Sequence, residues 1–128
     1  MPLYTVSTRG ELSAGIKAKV AGMITDVHCA HTEAPRTFVQ VIFSENLPLR
    51  EGIDLHVLAS VRAGRTQQLN DDIEQDIVQR IECISSVPRS RIEYQLFPVP
   101  ASWVMEGGVI LPEPGEEAEW LEKHQHSA

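Results

Sequence analysis

The strongest constraint in this chain is that its pattern occurs twice. Leu3 to Ser7 mixes β-branched, aromatic and small residues and reads as a strand. Leu55 to Val61 alternates, with Leu55, Val57, Ala59 and Val61 on one face. A shift of about 52 residues carries Leu3 onto Leu55, and Phe38 onto Ser90, just short of a strand that opens at Ile92. A helical pattern follows each leading strand. Ser13 can cap the first, with Ile16, Val20, Ile24 and Val27 at helical spacing, so a helix is predicted over roughly Ala14 to Ala30. Thr66 can cap the second, whose stripe is Leu69, Ile73, Ile77 and Ile81; Asp71 and Asp72 suit its first turn. Thr37 to Phe43 and Ile92 to Phe97 complete four strands, and Asn46 to Gly52 is a loop.

Two β-α-β halves follow, about 1–52 and 53–128, within a single domain. The fold class is α/β (α+β): a four-stranded sheet with two helices on one face. The other face has no cover from its own chain. Val39, Val41 and Phe43 against Phe38 and Ile42 make the strands apolar on both sides, so subunits are expected to pack sheet against sheet, in a closed ring. After Pro100 the chain changes character. Trp103 to Gly108 reads as irregular, Val109 to Leu111 as a short strand, Pro112 to Gly115 as a turn, and Glu116 to His124 as a short helix anchored by Trp120.

The net charge of −7 argues against nucleic acid as a partner, because neutralising phosphates takes a basic face. No run approaches the roughly 20 apolar residues of a membrane span, and the first residues lack the pattern of a signal peptide, so a cytoplasmic protein with no membrane partner is expected. The late acidic residues Glu113, Glu116, Glu117, Glu119 and Glu122 read as a solvated face. Two cysteines, Cys29 and Cys83, are too few for a disulfide framework and read as buried small residues. His28, Cys29 and His31 lack a second ligand pair at metal-site spacing; His124 and His126, in the tail, add nothing to them. Neither a metal nor another cofactor is expected.

Four places carry chemistry. Pro2 follows Met1, and removal of Met1 would leave a secondary amine at the start of the chain. An α-amine titrates near 8, and burial beside cations lowers that value toward the range of an effective base. Arg62 and Arg65 flank a glycine turn where the third strand runs into the second helix, a natural clamp for a carboxylate. His28 lies near the end of the first helix. Glu106, among Trp103, Val104 and Met105, would be partly desolvated, which raises a carboxyl pKa and suits proton transfer.

Together these residues resemble the tautomerase superfamily, and within it the subgroup of cis-3-chloroacrylic acid dehalogenase. The resemblance runs from Met1 to about Leu121. Its landmarks are the opening Met-Pro-x-Tyr, Ile24-Thr25-Asp26-Val27-His28, Val39-Gln40-Val41-Ile42-Phe43, Arg62-Ala63-Gly64-Arg65, and Leu111-Pro112-Glu113-Pro114-Gly115 with Glu119-Trp120. It implies a fused β-α-β repeat assembled as a homotrimer. It also implies that Pro2 is the catalytic proline, that His28 assists substrate binding, that Arg62 and Arg65 hold and polarise a substrate carboxylate, and that Glu106 activates water. The dehalogenase has a tyrosine on the strand before Pro98–Pro100, where this chain has Gln95, with Tyr94 one residue away and directed to the opposite face unless a bulge intervenes. Gly107 likewise stands where the dehalogenase has an aromatic residue.

The expected function is therefore proton transfer by Pro2 on a small 2-oxo, enol or α,β-unsaturated carboxylate. Keto-enol tautomerisation leads, with hydratase or weak dehalogenase activity beside it. The alternatives are a true cis-3-chloroacrylic acid dehalogenase and a non-catalytic trimeric anion-binding protein.

Overall fold

The computed structural model describes residues 1–124, so His126 lies outside the described residues. Eight elements organise the larger part of the fold, with short 3-10 turns between them: β1 (Leu3–Thr8), α1 (Ala14–His31), β2 (Gln40–Ser44), β3 (Leu55–Arg62), α2 (Gln67–Ser85) and β4 (Ile92–Val99), followed by a hairpin of β5 (Met105–Glu106) and β6 (Val109–Ile110). A last helix, α3, spans Glu117–His124. The main sheet runs β2-β1-β3-β4. The outer pairs β1–β2 and β3–β4 are parallel, whereas the central pair β1–β3 is antiparallel. The two β-α-β units that the repeated pattern predicts thus meet along β1 and β3.

Both long helices start where their caps predict. The Ser13 hydroxyl accepts from the Ile16 N–H at 3.1 Å, and the Thr66 hydroxyl accepts from the Leu69 N–H at 3.2 Å. Each cap satisfies one of the amide groups that a helix start leaves without an internal partner. Along the central strands Tyr4 and Val6 alternate inward in β1, and Leu55, Val57, Ala59 and Val61 in β3. They pack against Val20, Met23, Ile24 and Val27 of α1 and Ile73, Ile77 and Ile81 of α2. Both helices therefore cover one face.

The other face carries Leu3, Thr5, Ile42, Leu58, Gln95 and Phe97, in register across the four strands. Ile42 is 48% exposed and Phe97 53%. Val39, Val41 and Phe43 share the core side and Ile42 the other, as expected, and Phe38 alone departs from the expected strand. Val41 and Phe43 pack on the core, Ile42 faces out, and Phe38 lies in a 3-10 turn over Arg36–Phe38 that displaces the predicted start of the strand. Phe38 is buried edge-on against Trp120, with ring centroids 5.6 Å apart. No helix is long and apolar enough to cross a membrane among the described residues.

Candidate active site

The site is assembled where the parallel and antiparallel pairs share one end of the sheet. Pro2 heads β1 and is buried; its carbonyl accepts from the Gln40 N–H at 3.0 Å, which fixes the start of the strand against β2. The Met1 amine ahead of it touches the Glu106 carboxylate. Burial, and then Arg62, bring this amine from 8.0 down to about 6. Glu106, being an anion, acts in the opposite sense.

Glu106 reaches this position because the last part of the chain folds back as a hairpin. Gly107 and Gly108 form its turn, with φ of 58° and 78°. Two consecutive left-handed residues are the requirement of a tight two-residue hairpin, and glycine meets it without strain. That is the structural content of Gly107 at a position where the resemblance has an aromatic residue. Of the neighbours expected to desolvate Glu106, Trp103 and Met105 are exposed and Val104 is half-buried; the Glu106 side chain is 29% exposed.

Arg62 ends β3 and is 1% exposed. Its guanidinium donates from Nη2 to Glu117 Oε1 at 2.7 Å and from Nη1 to the Pro112 carbonyl. Glu117 is equally buried, and its other oxygen accepts from the Gly115 N–H at 2.8 Å. Burial pushes the Glu117 pKa up, but its own amide, Arg62 and Gly115 bring it below the usual carboxylate range. Glu117 therefore does not belong to a solvated acidic face; α3 turns it inward as the counter-ion of Arg62. Arg65 donates from Nη1 to the Arg62 carbonyl at 3.3 Å, while its Nη2 is buried without a partner. Its pKa is lowered, by burial and then by Arg62. The turn between the two arginines needs Gly64, whose φ of 108° is one that residues with a side chain rarely adopt. A cavity of about 300 Å³, lined in part by Gly64, Arg65, Thr66, Gly115 and Glu117, borders Arg65.

His28 is buried on α1, and its Nδ1 lies 2.8 Å from the Tyr4 hydroxyl. Burial first, then Arg65, Arg62 and the terminal amine, lower its pKa from 6.5 to about 3, so the ring is neutral. Of its neighbours in sequence, Cys29 is half-buried, and His31 turns away to Asp76 of α2 at 3.0 Å. Cys83 is exposed rather than buried, at a groove between α1 and α2. No group of three potential metal ligands converges among the described residues.

β4 pairs with β3 in unbroken register, Val57 with Tyr94 and Leu58 with Gln95. Without a bulge, Tyr94 stays on the helix side. Its phenol pKa is raised, by burial and then Glu74. Gln95 is exposed on the open face, away from Pro2 and His28 within one chain. Pro2, His28, Arg62, Arg65 and Glu106 are thus brought to one end of the sheet, and Gln95 is not. Sequence reasoning missed Tyr4 and Glu117 as contributors. Tyr4 shares the strand face of Pro2, a signal present in the alternation; Glu117 gave none, being one acid among several.

No family model matches the chain, and no curated protein matches it. Solved structures do. The crystal structure of a member of the cis-3-chloroacrylic acid dehalogenase family is 30% identical, with a TM-score of 0.86 over 94% of this chain and 91% of that one. A fused 4-OT solved as an asymmetric trimer is 19% identical, with a TM-score of 0.77 over 85% of this chain and 95% of that one. The macrophage migration inhibitory factor from Trichinella spiralis is 14% identical, with a TM-score of 0.71 over 86% of this chain and all of that one. These last two are likenesses of fold alone.

Proposed function

Because the chain belongs to the cis-3-chloroacrylic acid dehalogenase family of the tautomerase superfamily, we propose that it is an enzyme whose Pro2, freed of Met1, moves a proton on a small enol, 2-oxo or α,β-unsaturated carboxylate. One observation carries the reading. Among the described residues, the buried side-chain nitrogens left without a hydrogen-bond partner are His28 Nε2, Arg62 Nε and Arg65 Nη2. A buried donor without an acceptor costs roughly 1–3 kcal/mol. Three of them, from a helix, a strand end and the loop that follows it, suit an oxygen-rich anion that would supply the acceptors.

Arg65 would supply the net positive charge, since Glu117 already neutralises Arg62. His28 would donate as a neutral group. Removal of Met1 would expose the Pro2 amine beside Glu106 and Arg62. Burial and Arg62, which lower the Met1 amine, would act on the Pro2 amine in the same direction, and the Glu106 carboxylate in the opposite one. Neutral Pro2 takes the enol proton from oxygen and returns it to carbon, giving the keto acid. In the opposite protonation state Pro2 donates its proton to the α-carbon of an unsaturated acid, while Glu106 takes a proton from the water that adds at the β-carbon. The protonation state of Pro2 decides between the two modes, and the pH dependence of activity reads it out. With no tyrosine at Gln95 and the Tyr94 hydroxyl on the helix side, only weak chloride release from 3-chloroacrylate is expected. We further propose that the exposed apolar positions Ile42 and Phe97 are covered by copies of the same chain in a homotrimer.

The test begins with a mass measurement for loss of Met1. Wild type and Pro2→Ala are then assayed on phenylenolpyruvate and on 3-chloroacrylate isomers across pH. Tautomerase kcat/KM should rise with pH through the amine's titration and stay high above it, and Pro2→Ala should lower it at least about 100-fold. Undiminished activity in Pro2→Ala would remove the proposal, and a rate that falls as pH rises would favour hydration.

A further inference from the structure

We infer that Tyr4 is a positioning residue that fixes the tautomer of His28, so that the imidazole presents Nε2–H, a donor, to the substrate. The inference rests on the anion-binding reading above and adds to it the identity of the proton that His28 offers. Three observations carry it. The Tyr4 hydroxyl and His28 Nδ1 are 2.8 Å apart, a strong hydrogen-bond distance. Both residues are shut off from water, at 0% and 1% exposure, so neither can exchange this partner for solvent. The second ring nitrogen, Nε2, is buried and has no partner.

A neutral imidazole has one N–H and one lone pair, and the hydrogen bond at one nitrogen sets the role of the other. A phenol next to Nδ1 can donate or accept. If it accepted, Nε2 would be left as a bare lone pair in a site that also holds Glu106 and is meant for an anion. Two acceptors facing a carboxylate repel it. If it donates, Nε2–H becomes a third donor beside Arg62 Nε and Arg65 Nη2, and all three can meet substrate oxygens. The two rings of Tyr4 and His28 meet edge-on, with centroids 5.7 Å apart, which holds the imidazole plane as well as its proton.

The tautomer can be read without catalysis. Histidine-selective 15N labelling of the full chain, with the His28 signals assigned by their absence in His28→Asn, gives the protonation of each ring nitrogen at pH 7. The expected spectrum has the His28 proton on Nε2 and an Nδ1 resonance displaced by an accepted hydrogen bond. In Tyr4→Phe that displacement disappears, the other histidines keep their shifts, and KM for a small 2-oxo or unsaturated acid rises about tenfold, as expected for one lost or misaimed hydrogen bond. A wild-type His28 proton on Nδ1, or a Tyr4→Phe spectrum identical to wild type, overturns the inference. The wild-type spectrum decides the question even if Tyr4→Phe does not fold. Undiminished activity in Pro2→Ala with His28 in the expected tautomer would remove the catalytic proposal alone.

Discussion

Arg62 and Arg65 are three positions apart in the chain, yet their surroundings assign them different work. Arg62 is one half of a buried ion pair, and deleting it would strand Glu117 in the core. Breaking such a pair costs about 3–5 kcal/mol. Arg65 keeps a buried Nη2 without a partner and no carboxylate bonded to it. Arg62→Ala should therefore lower the melting temperature by many degrees, whereas Arg65→Ala should leave melting nearly unchanged and raise KM for a carboxylate substrate about tenfold or more. Calorimetry beside steady-state kinetics separates the two. His28 makes a second prediction at this scale. In the unfolded chain its imidazole binds a proton near 6.5, but in the folded chain only near 3. Between those values the unfolded state holds more protons, so stability is fully present above pH 6.5 and is lost as pH falls toward 3. Melting followed across that range should show the loss, and His28→Asn should flatten it.

Among the elements, the two long helices repeat each other down to their caps, and the short C-terminal pieces are what the repeat does not explain. Ser13 and Thr66 hold equivalent first turns. Ser13 is remote from the arginine loop, so Ser13→Ala should cost about 1 kcal/mol, a shift of a few degrees in melting, with kcat and KM unchanged. The hairpin and α3 instead serve the site. The hairpin brings Glu106 to the chain start, and α3 brings Glu117 to Arg62. The Trp120 indole N–H donates to the Ile110 carbonyl at 3.0 Å and its ring meets Phe38, so α3 is tied to both the hairpin and the main domain.

For the whole molecule, one covered and one open sheet face is an incomplete arrangement. Ile42 and Phe97 lie on the open face, and Trp103 is exposed near the hairpin. If copies of the chain cover that face, Phe97→Asp should bury a charge at the interface and shift the species seen by light scattering from trimer to monomer at micromolar concentration. A mutant that keeps the wild-type mass in solution would argue that this face is not the contact.

The order of strands and helices, both helix caps and the twofold repeat were legible in the chain, because periodicity and capping are local: each depends on residues within a turn or a strand of one another. Pro2, His28, Arg62, Arg65 and Glu106 could be picked out by chemical type and by resemblance. What no local pattern contained was pairing across the fold. Glu117 looked like one more solvated acid until α3 packed it against Arg62, 55 positions away. Tyr4 was only a residue of the first strand and the opening motif until α1 set His28 beside its hydroxyl, 24 positions away. The 3-10 turn at Arg36–Phe38 likewise sets Phe38 against Trp120, a residue far along the chain. The physical reason is the same in each case: a buried polar or aromatic group takes its role from the partner that replaces water, and that partner is chosen by packing.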